Sequence, residues 1–279
     1  MTTSPVADRE SLAALAVQSS PAGLLSVALG AVGCCPDPWQ QKALASTSRR
    51  VVIVAARQVG KGSVAAARAL HLAAFTPEAL VLIVSATERQ ARIVLQRIRG
   101  MLPYVGAAAA GAEDTQTEVR FRNGSRIIVL PASSTSLRGW TAHLLLVDEG
   151  AYVPRSSWEA VVPTTAATGG AIVCLTSAGS PAGWLYEIVS DEDTYPEWER
   201  HLITAWDVPR IDREFLRGEQ RRLPRAVFER EYECKFTGAE DGVFDPVAVA
   251  GAFAASPRAH HLDDLDLTAV LLGQEETDQ

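Results

Sequence analysis

The segment VVIVAARQVGKGSVAAARAL, residues 51–70, constrains the fold of this chain more than any other. Its β-branched and small apolar start predicts a buried strand, and its alanine-rich second half predicts a helix. The tight turn between them contains Gly60, Lys61 and Gly62. A strand, a Gly-Lys turn and a helix form a phosphate-binding loop, in which backbone N–H groups surround a polyphosphate and a lysine reaches its outer phosphates. The sequence therefore predicts a phosphate site here.

Two positions of this turn depart from the usual G-x-x-x-x-G-K-[ST] pattern. Ala55 stands where the first glycine is expected, and Gly62 stands where a hydroxyl would help to hold a metal ion. Ser63 follows one residue later, so its side chain is rotated by about 100° around the helix. Two alternatives remain open: either Asp148 and water hold the metal, or the loop is shifted by one residue.

Continuous apolar strands recur along the chain and alternate with helical segments. ALVLIVSAT, HLLLVD, GAIVCLT and RHLITA follow the first strand, and TEVRFRNGSRIIVLP predicts a hairpin around Asn123-Gly124. Apolar strands that alternate with helices indicate a mostly parallel sheet that is covered on both faces. We therefore expect an α/β fold of the P-loop NTPase (RecA-like) type, a three-layer sandwich around a mostly parallel central sheet.

The chain divides by composition into three parts. We expect an N-terminal segment over residues 1–36 with one helix near residues 11–17, a P-loop domain over residues 37–240, and a C-terminal tail over residues 241–279 that ends in the frayed acidic stretch GQEETDQ. The apolar stretch at residues 21–35 is too short to cross a bilayer and follows Asp8 and Glu10, so no membrane role is expected.

Charge and cysteine content exclude several classes of function. The formal net charge of -7 opposes a protein that coats nucleic acid, so any contact with DNA must be local. The arginines in RQARIVLQRIR and RGEQRRLPRAVFER are more typical of solvated helix faces than of DNA contacts. The four cysteines lack zinc-site spacing and fit a reducing compartment, and the pair His260 and His261 lacks metal-ligand spacing.

A second chemical signal is the stretch HLLLVDEG, where Asp148 and Glu149 end an apolar strand. Ligands of open α/β sheets bind at the carboxyl ends of strands. There, Asp148 is suited to hold Mg²⁺ and Glu149 to orient or deprotonate an attacking water. Alone, such a pair is typical of an exposed strand end. Its occurrence together with the Gly-Lys loop and with Thr176 and Ser177 at the next strand end favours an ATPase.

Five motifs together resemble the ATPase half of tailed-phage terminase large subunits, the motors that package DNA. They are DPWQQKAL, ARQVGKG, LRGWTAHLLLVDEGAYV, LTSAGSPAGWLYEIV and FEREYECKFTGAEDGVF, in this order over residues 36–246. Terminases carry a deviant loop with a basic residue near its start, a description that Arg57 fits. The resemblance implies that ATP and Mg²⁺ are the cofactors.

The resemblance also implies a role for each site residue. It implies that Gln40 contacts the adenine, Arg57 and Lys61 the phosphates, Asp148 the metal and Glu149 the water, and that Thr176 and Ser177 couple hydrolysis to movement. The other residues of the nucleotide-binding loop are Gln58, Gly60, Gly62 and Ser63. Arg138, in SLRGW, is expected either to act across a subunit interface on a neighbour's γ-phosphate or to be a surface arginine.

As a terminase motor, the chain would pump double-stranded DNA into a procapsid as a homo-oligomeric ring in the host cytoplasm. Its partners would be the portal protein and the terminase small subunit. LDDLDLTAVLLG resembles the first strand of a nuclease domain, but too few residues follow it, so no DNA cleavage is expected. Two alternatives remain: a helicase-like ATPase, and a degenerate P-loop protein that serves as a non-catalytic assembly module.

Overall fold

A computed structural model describes residues 5–109, 112–133 and 137–238 of the chain. Within them the strands are β1 (Arg50–Ala55), β2 (Leu80–Ser85), β3 (Glu113–Asp114), β4 (Glu118–Arg120), β5 (Arg126–Pro131), β6 (Leu144–Asp148), β7 (Ala171–Thr176) and β8 (Glu199–Ile203). The helices are α1 (Pro5–Ser19), α2 (Pro21–Gly30), α3 (Pro38–Ala45), α4 (Lys61–Phe75), α5 (Glu88–Met101), α6 (Arg155–Val161), α7 (Trp184–Ser190), α8 (Arg213–Arg222) and α9 (Arg225–Glu233). The predictions for the tail, including His260 and His261, lie outside the described residues.

The strands form one sheet in the order β3-β4-β5-β2-β6-β7-β1-β8. In this order, every neighbouring pair between β5 and β8 is parallel. The antiparallel pairs are β3 with β4 and β4 with β5, at one edge of the sheet. The central strands β1, β2, β6 and β7 are almost wholly buried, because helices cover both faces of a parallel sheet. The predicted parallel sheet and the predicted hairpin are confirmed.

The direction of the crossovers places the helices in two layers. The crossovers from β1 through α4 to β2, and from β2 through α5 to β5, both move toward the hairpin edge. Those from β6 through α6 to β7, and from β7 through α7 to β8, move the opposite way. Because parallel crossovers are right-handed, the two groups of helices lie on opposite faces of the sheet. The expected three-layer sandwich is confirmed.

The N-terminal helices pack into the same core as the sheet. The helix expected at residues 11–17 is part of α1, and the apolar stretch at residues 21–35 contains α2. The hydroxyl of Ser20 accepts a hydrogen bond of 3.0 Å from the N–H of Gly23 and caps α2, while Leu24 and Leu25 are fully buried. Among the described residues, no helix is long and apolar enough to cross a membrane.

The carboxyl ends of three neighbouring strands bring the chemically active residues together. β7 lies between β1 and β6, with Val54 opposite Thr176 and Asp148 opposite Leu175. The loop after β1, the acidic pair at the end of β6, and the polar pair at the end of β7 therefore meet at one edge of the sheet, as expected for an open α/β fold.

Candidate active site

The loop between β1 and α4 is held open at the N-terminus of the helix. Gly60 has φ +97°, and a Cβ there would lie 2.5 Å from Nε2 of Gln40, so both the backbone and the space require glycine. The N–H groups of Ala56 and Arg57 donate to Ile203 O (2.9 Å) and Glu231 O (3.2 Å) and fix the start of the loop. The N–H groups of Ser63 and Val64 donate to Gly60 O at 3.0 and 3.4 Å, and the N-terminus of a helix attracts an anion.

Lys61 lies beneath this loop and is buried. Its ammonium donates hydrogen bonds to Ala55 O at 2.9 Å, to Ala56 O at 3.2 Å and to Oγ of Ser177 at 2.9 Å. Burial lowers the pKa of Lys61, and the negative charges of nearby Glu149 and Asp148 oppose this shift. The three hydrogen bonds hold the ammonium at the floor of the loop, where a phosphate would bind.

The acidic pair at the end of β6 is held in an unusual backbone geometry. Glu149 has φ 52° and ψ 48°, in the left-handed region, and its Oε2 accepts a hydrogen bond of 3.2 Å from the N–H of Ser177. Burial, and then the charge of Glu149, raise the pKa of Asp148 to about 7, while Lys61 and Arg97 oppose this rise. A left-handed residue other than glycine or asparagine costs about 1–3 kcal/mol, and such strain is concentrated at functional sites.

Ser177 connects the lysine to the acidic pair. Its hydroxyl accepts from Lys61 and its N–H donates to Glu149, so one residue at the end of β7 contacts both sides of the site. Thr176 is fully buried beside it, where its hydroxyl accepts from the N–H of Ala151 at 3.2 Å and donates to Ser177 O at 2.7 Å. Two hydrogen bonds, to the hydroxyl and from the N–H of Ser177, thus connect Lys61 to Glu149.

A cleft of about 820 Å³ opens above these residues. This volume is within the range of roughly 300 to 1,000 Å³ that is usual for small-molecule sites. Of the residues predicted from the sequence, those in its lining are Arg57, Gln58, Gly60, Lys61, Gly62, Asp148, Glu149 and Ser177. The others in its lining are Ala86, Thr87, Gln90, Ile93, Val94, Arg97 and Tyr152.

Some predicted site residues lie outside this lining. Gln40 is buried behind the loop, where it accepts from Asp37 N at 2.9 Å and donates to Gly60 O at 3.3 Å. Ser63 follows Gly62 on α4 but does not line the cleft. Arg138 is exposed and lines a separate surface cavity of about 290 Å³.

Two contacts of the loop could not be foreseen from the sequence. Arg57 forms an ion pair with Glu231 of α9. Arg210 donates to Oδ2 of Asp37 at 2.9 Å and to Gln58 O at 3.2 Å, and so supports the loop from behind. Both contacts join positions more than 150 residues apart, and only the packing of α8 and α9 onto the sheet reveals them.

The residues present fit a magnesium ion that is bound together with a nucleotide. Within the described ranges, no group of three or more histidine, cysteine or acidic side chains could hold a metal by itself. Asp148 and Glu149 line the cleft beside the loop. Mg²⁺ usually takes one or two carboxylates and completes its coordination with phosphate oxygens and water. Both alternatives, a metal held by Asp148 and water and a loop shifted by one residue, stay predictions.

Comparison with known proteins identifies the family. The model of the terminase large subunit family, T4likevirus-type, N-terminal part, matches residues 52–246. The chain belongs to this family. Its relatives include the terminase large subunit of Thermus virus P23-45, which is 25% identical over 235 residues, covering 71% of this chain and 48% of that protein. The chain thus spans about half the length of the curated relatives that it matches.

Solved structures show that the fold is that of terminase ATPase domains. The large terminase ATPase domain of Thermus phage P74-26 superposes with a TM-score of 0.65 at 23% identity, covering 75% of this chain and 97% of that domain. The large terminase of a thermophilic bacteriophage, solved in complex with ADP, superposes with a TM-score of 0.61 at 15% identity, covering 72% of this chain and 53% of that protein. The expected P-loop NTPase fold and the resemblance to terminases are confirmed.

Proposed function

We propose that this chain is an ATP-hydrolysing motor subunit that moves double-stranded DNA into a viral procapsid. The observation that carries the proposal is the chain of hydrogen bonds from Lys61 to Ser177 and from Ser177 to Glu149, beside Asp148 and beneath a cleft of nucleotide size. Membership of the terminase large subunit family supports it, and so does the ADP complex of the large terminase from a thermophilic bacteriophage.

The proposed reaction is attack of water on the terminal phosphate of ATP. Lys61 and the N-terminus of α4 bind the phosphates, and Arg57 adds a positive charge once it releases Glu231. Asp148 would hold Mg²⁺, which would neutralise phosphate charge when bound. Glu149 orients the water and accepts its proton, because the bond from Ser177 to one carboxylate oxygen leaves the other available.

The remaining roles follow from the same proposal. Thr176 and Ser177 would transmit the state of the nucleotide to the end of β7. Gln58, Gly60, Gly62 and Ser63 would form the loop around the phosphates. Gln40 would reach the adenine only after it leaves its present bonds to Gly60 and Asp37.

The proposed partners are double-stranded DNA, the portal protein, the terminase small subunit and further copies of this chain in a ring, within the host cytoplasm. Residues 37–240 would be the ATPase domain, residues 1–36 an N-terminal segment, and residues 241–279 a C-terminal tail in which LDDLDLTAVLLG resembles the first strand of a nuclease domain. The predicted absence of DNA cleavage concerns residues outside the described ranges and stays a prediction.

Titration with ATP and Mg²⁺, followed by a phosphate-release assay, tests the proposal. Lys61→Ala should abolish ATP binding, because it removes the buried ammonium at the loop. Lys42→Ala, which changes an exposed lysine of α3, is the matched control and should bind normally. Unchanged binding in a folded Lys61→Ala protein would contradict the proposal. ATP binding by the unaltered chain without phosphate release, even with DNA present, would favour the non-catalytic module instead.

A further inference from the structure

Arg97 of α5 occupies the space above Gly62 in the nucleotide cleft. The neighbouring residues Val94 and Ile98 are buried against the core, and Arg97 lies beside this apolar face and lines the cleft. A Cβ added to Gly62 would lie 2.4 Å from Nη1 of Arg97 and 2.9 Å from its Cζ. The guanidinium therefore fills the position that a side chain at residue 62 would take.

The charge of Arg97 has no counterion in direct contact. Its helix neighbours Arg92 and Arg99 form ion pairs with acidic residues at 2.7 and 2.8 Å. In the part of the chain that the structure describes, Arg97 makes neither a hydrogen bond nor an ion pair. All N–H groups of its guanidinium thus remain available to a ligand in the cleft.

We propose that Arg97 binds the terminal phosphate of the nucleotide, and that Gly62 leaves the room this contact needs. The inference rests on the proposed function of the cleft as an ATP site. A guanidinium presents a planar set of donors that matches two phosphate oxygens at once. Arg97 thereby supplies, from a second helix of the same chain, a phosphate contact at the position where related loops carry a hydroxyl.

The position of Arg97 favours the terminal phosphate over the inner ones. Lys61 is held beneath the loop by Ala55, Ala56 and Ser177, whereas Arg97 lies over the first turn of α4 and lines the same cleft as the acidic pair. In the proposed reaction the acidic pair serves the terminal phosphate. Because Arg97 lies on the side of the cleft where the terminal phosphate would bind, it would stabilise a bound triphosphate more than a diphosphate.

Equilibrium titration of the full chain with ATP-γ-S and with ADP, each with Mg²⁺, tests the assignment. Arg97→Ala should weaken ATP-γ-S binding roughly tenfold or more and ADP binding less than about threefold, because one charge-assisted contact to the terminal phosphate is lost. Arg97→Lys keeps the charge without the planar donors, so its affinity for ATP-γ-S should lie between those of the unaltered chain and Arg97→Ala. Arg89→Ala removes another exposed arginine of α5 that does not line the cleft, and should change neither affinity.

A double-mutant cycle with Gly62 separates a phosphate contact from a general effect on folding. Gly62→Ser should displace Arg97 and weaken ATP-γ-S binding, but it should cause no further loss in the Arg97→Ala background. Additive losses, or an unchanged preference of Arg97→Ala for the triphosphate, would overturn the assignment. If only Lys61→Ala loses binding, the proposed function stands and the role of Arg97 fails. If the unaltered chain binds neither nucleotide, the proposed function itself fails.

Discussion

At the scale of single residues, Glu149 adopts a backbone conformation that residues other than glycine and asparagine rarely adopt. Its φ of 52° is held by a hydrogen bond of 2.9 Å from Tyr152 N to its carbonyl, and by the bond from Ser177 N to its carboxylate. The strain of about 1–3 kcal/mol gives no packing advantage, because the side chain lies in the open cleft. We infer that the conformation serves to aim the carboxylate.

Glu149→Gln should therefore separate binding from turnover. The amide keeps the shape and one acceptor oxygen but cannot take a proton, so ATP affinity should stay within a few-fold while phosphate release falls on the order of a hundredfold or more. Equilibrium titration and steady-state phosphate release measure the two effects. Glu192→Gln, at an exposed site, is the control. Normal turnover in Glu149→Gln would make the acidic pair structural.

The sequence alone was sufficient to predict that Lys61, Asp148 and Ser177 lie together. Each follows a continuous apolar run, and the ends of parallel strands share one edge of the sheet. Arg97 could not be predicted in the same way, since it is one of several arginines in α5, and the sequence does not tell which of them lines the cleft. Only the packing of α5 against the first turn of α4 distinguishes it, and local sequence does not encode that packing.

At the scale of elements, a polar contact from the segment before α8 supports the nucleotide loop. Arg210 bonds to the buried Asp37 at the start of α3 and to Gln58 O in the loop. Gln40, in the first turn of α3, bonds to Gly60 O. Two elements far apart in sequence thus hold the back of the loop in place, which reduces the ordering that a bound nucleotide would otherwise have to provide.

Arg210→Ala should loosen this support. We expect unfolding stability to fall by about 1–3 kcal/mol, since Arg210 is half exposed but its partner Asp37 is buried, and nucleotide affinity to fall a few-fold through the loss of loop order. Thermal unfolding and titration with ADP measure the two effects. Arg217→Ala, on the exposed face of α8, should change neither. A loss of stability without any change in affinity would limit Arg210 to a structural role.

The same scale shows where sequence patterns predict elements and where they fail. Strands β2, β6, β7 and β8 were predicted because short apolar runs bounded by polar residues fit buried parallel strands. Helix α2 was not predicted, because it is apolar on nearly every side and lacks the helical period. Only Leu24, Leu25 and Ala28 are buried, while Ser26 and Gly30 are exposed, so the apolar pattern of the sequence does not reveal the buried face of this helix.

At the scale of the whole molecule, the cleft and Arg138 lie in different places. Arg138 shares its small cavity with Trp140, Glu159 and Pro163, whereas the cleft is lined from the loop, α5 and the end of β6. An exposed arginine away from the cleft of its own chain is suited to reach the cleft of a neighbour. In the proposed ring with one repeated head-to-tail interface, Arg138 either lies beside the nucleotide of the next chain or stays a surface arginine.

Mixing two inactive variants tests this arrangement. Arg138→Ala and Glu149→Gln should each bind ATP but release little phosphate. If Arg138 acts on a neighbour, a mixed ring contains interfaces where an intact Arg138 from one variant meets an intact Glu149 from the other. When equal amounts of the two variants assemble at random, about a quarter of all interfaces are of this kind. Phosphate release should therefore recover measurably at concentrations where the protein associates. Recovery should disappear when the protein is diluted to concentrations at which the chains no longer associate. No recovery, with an active unaltered protein under the same conditions, would mean that Arg138 acts within its own chain or not at all.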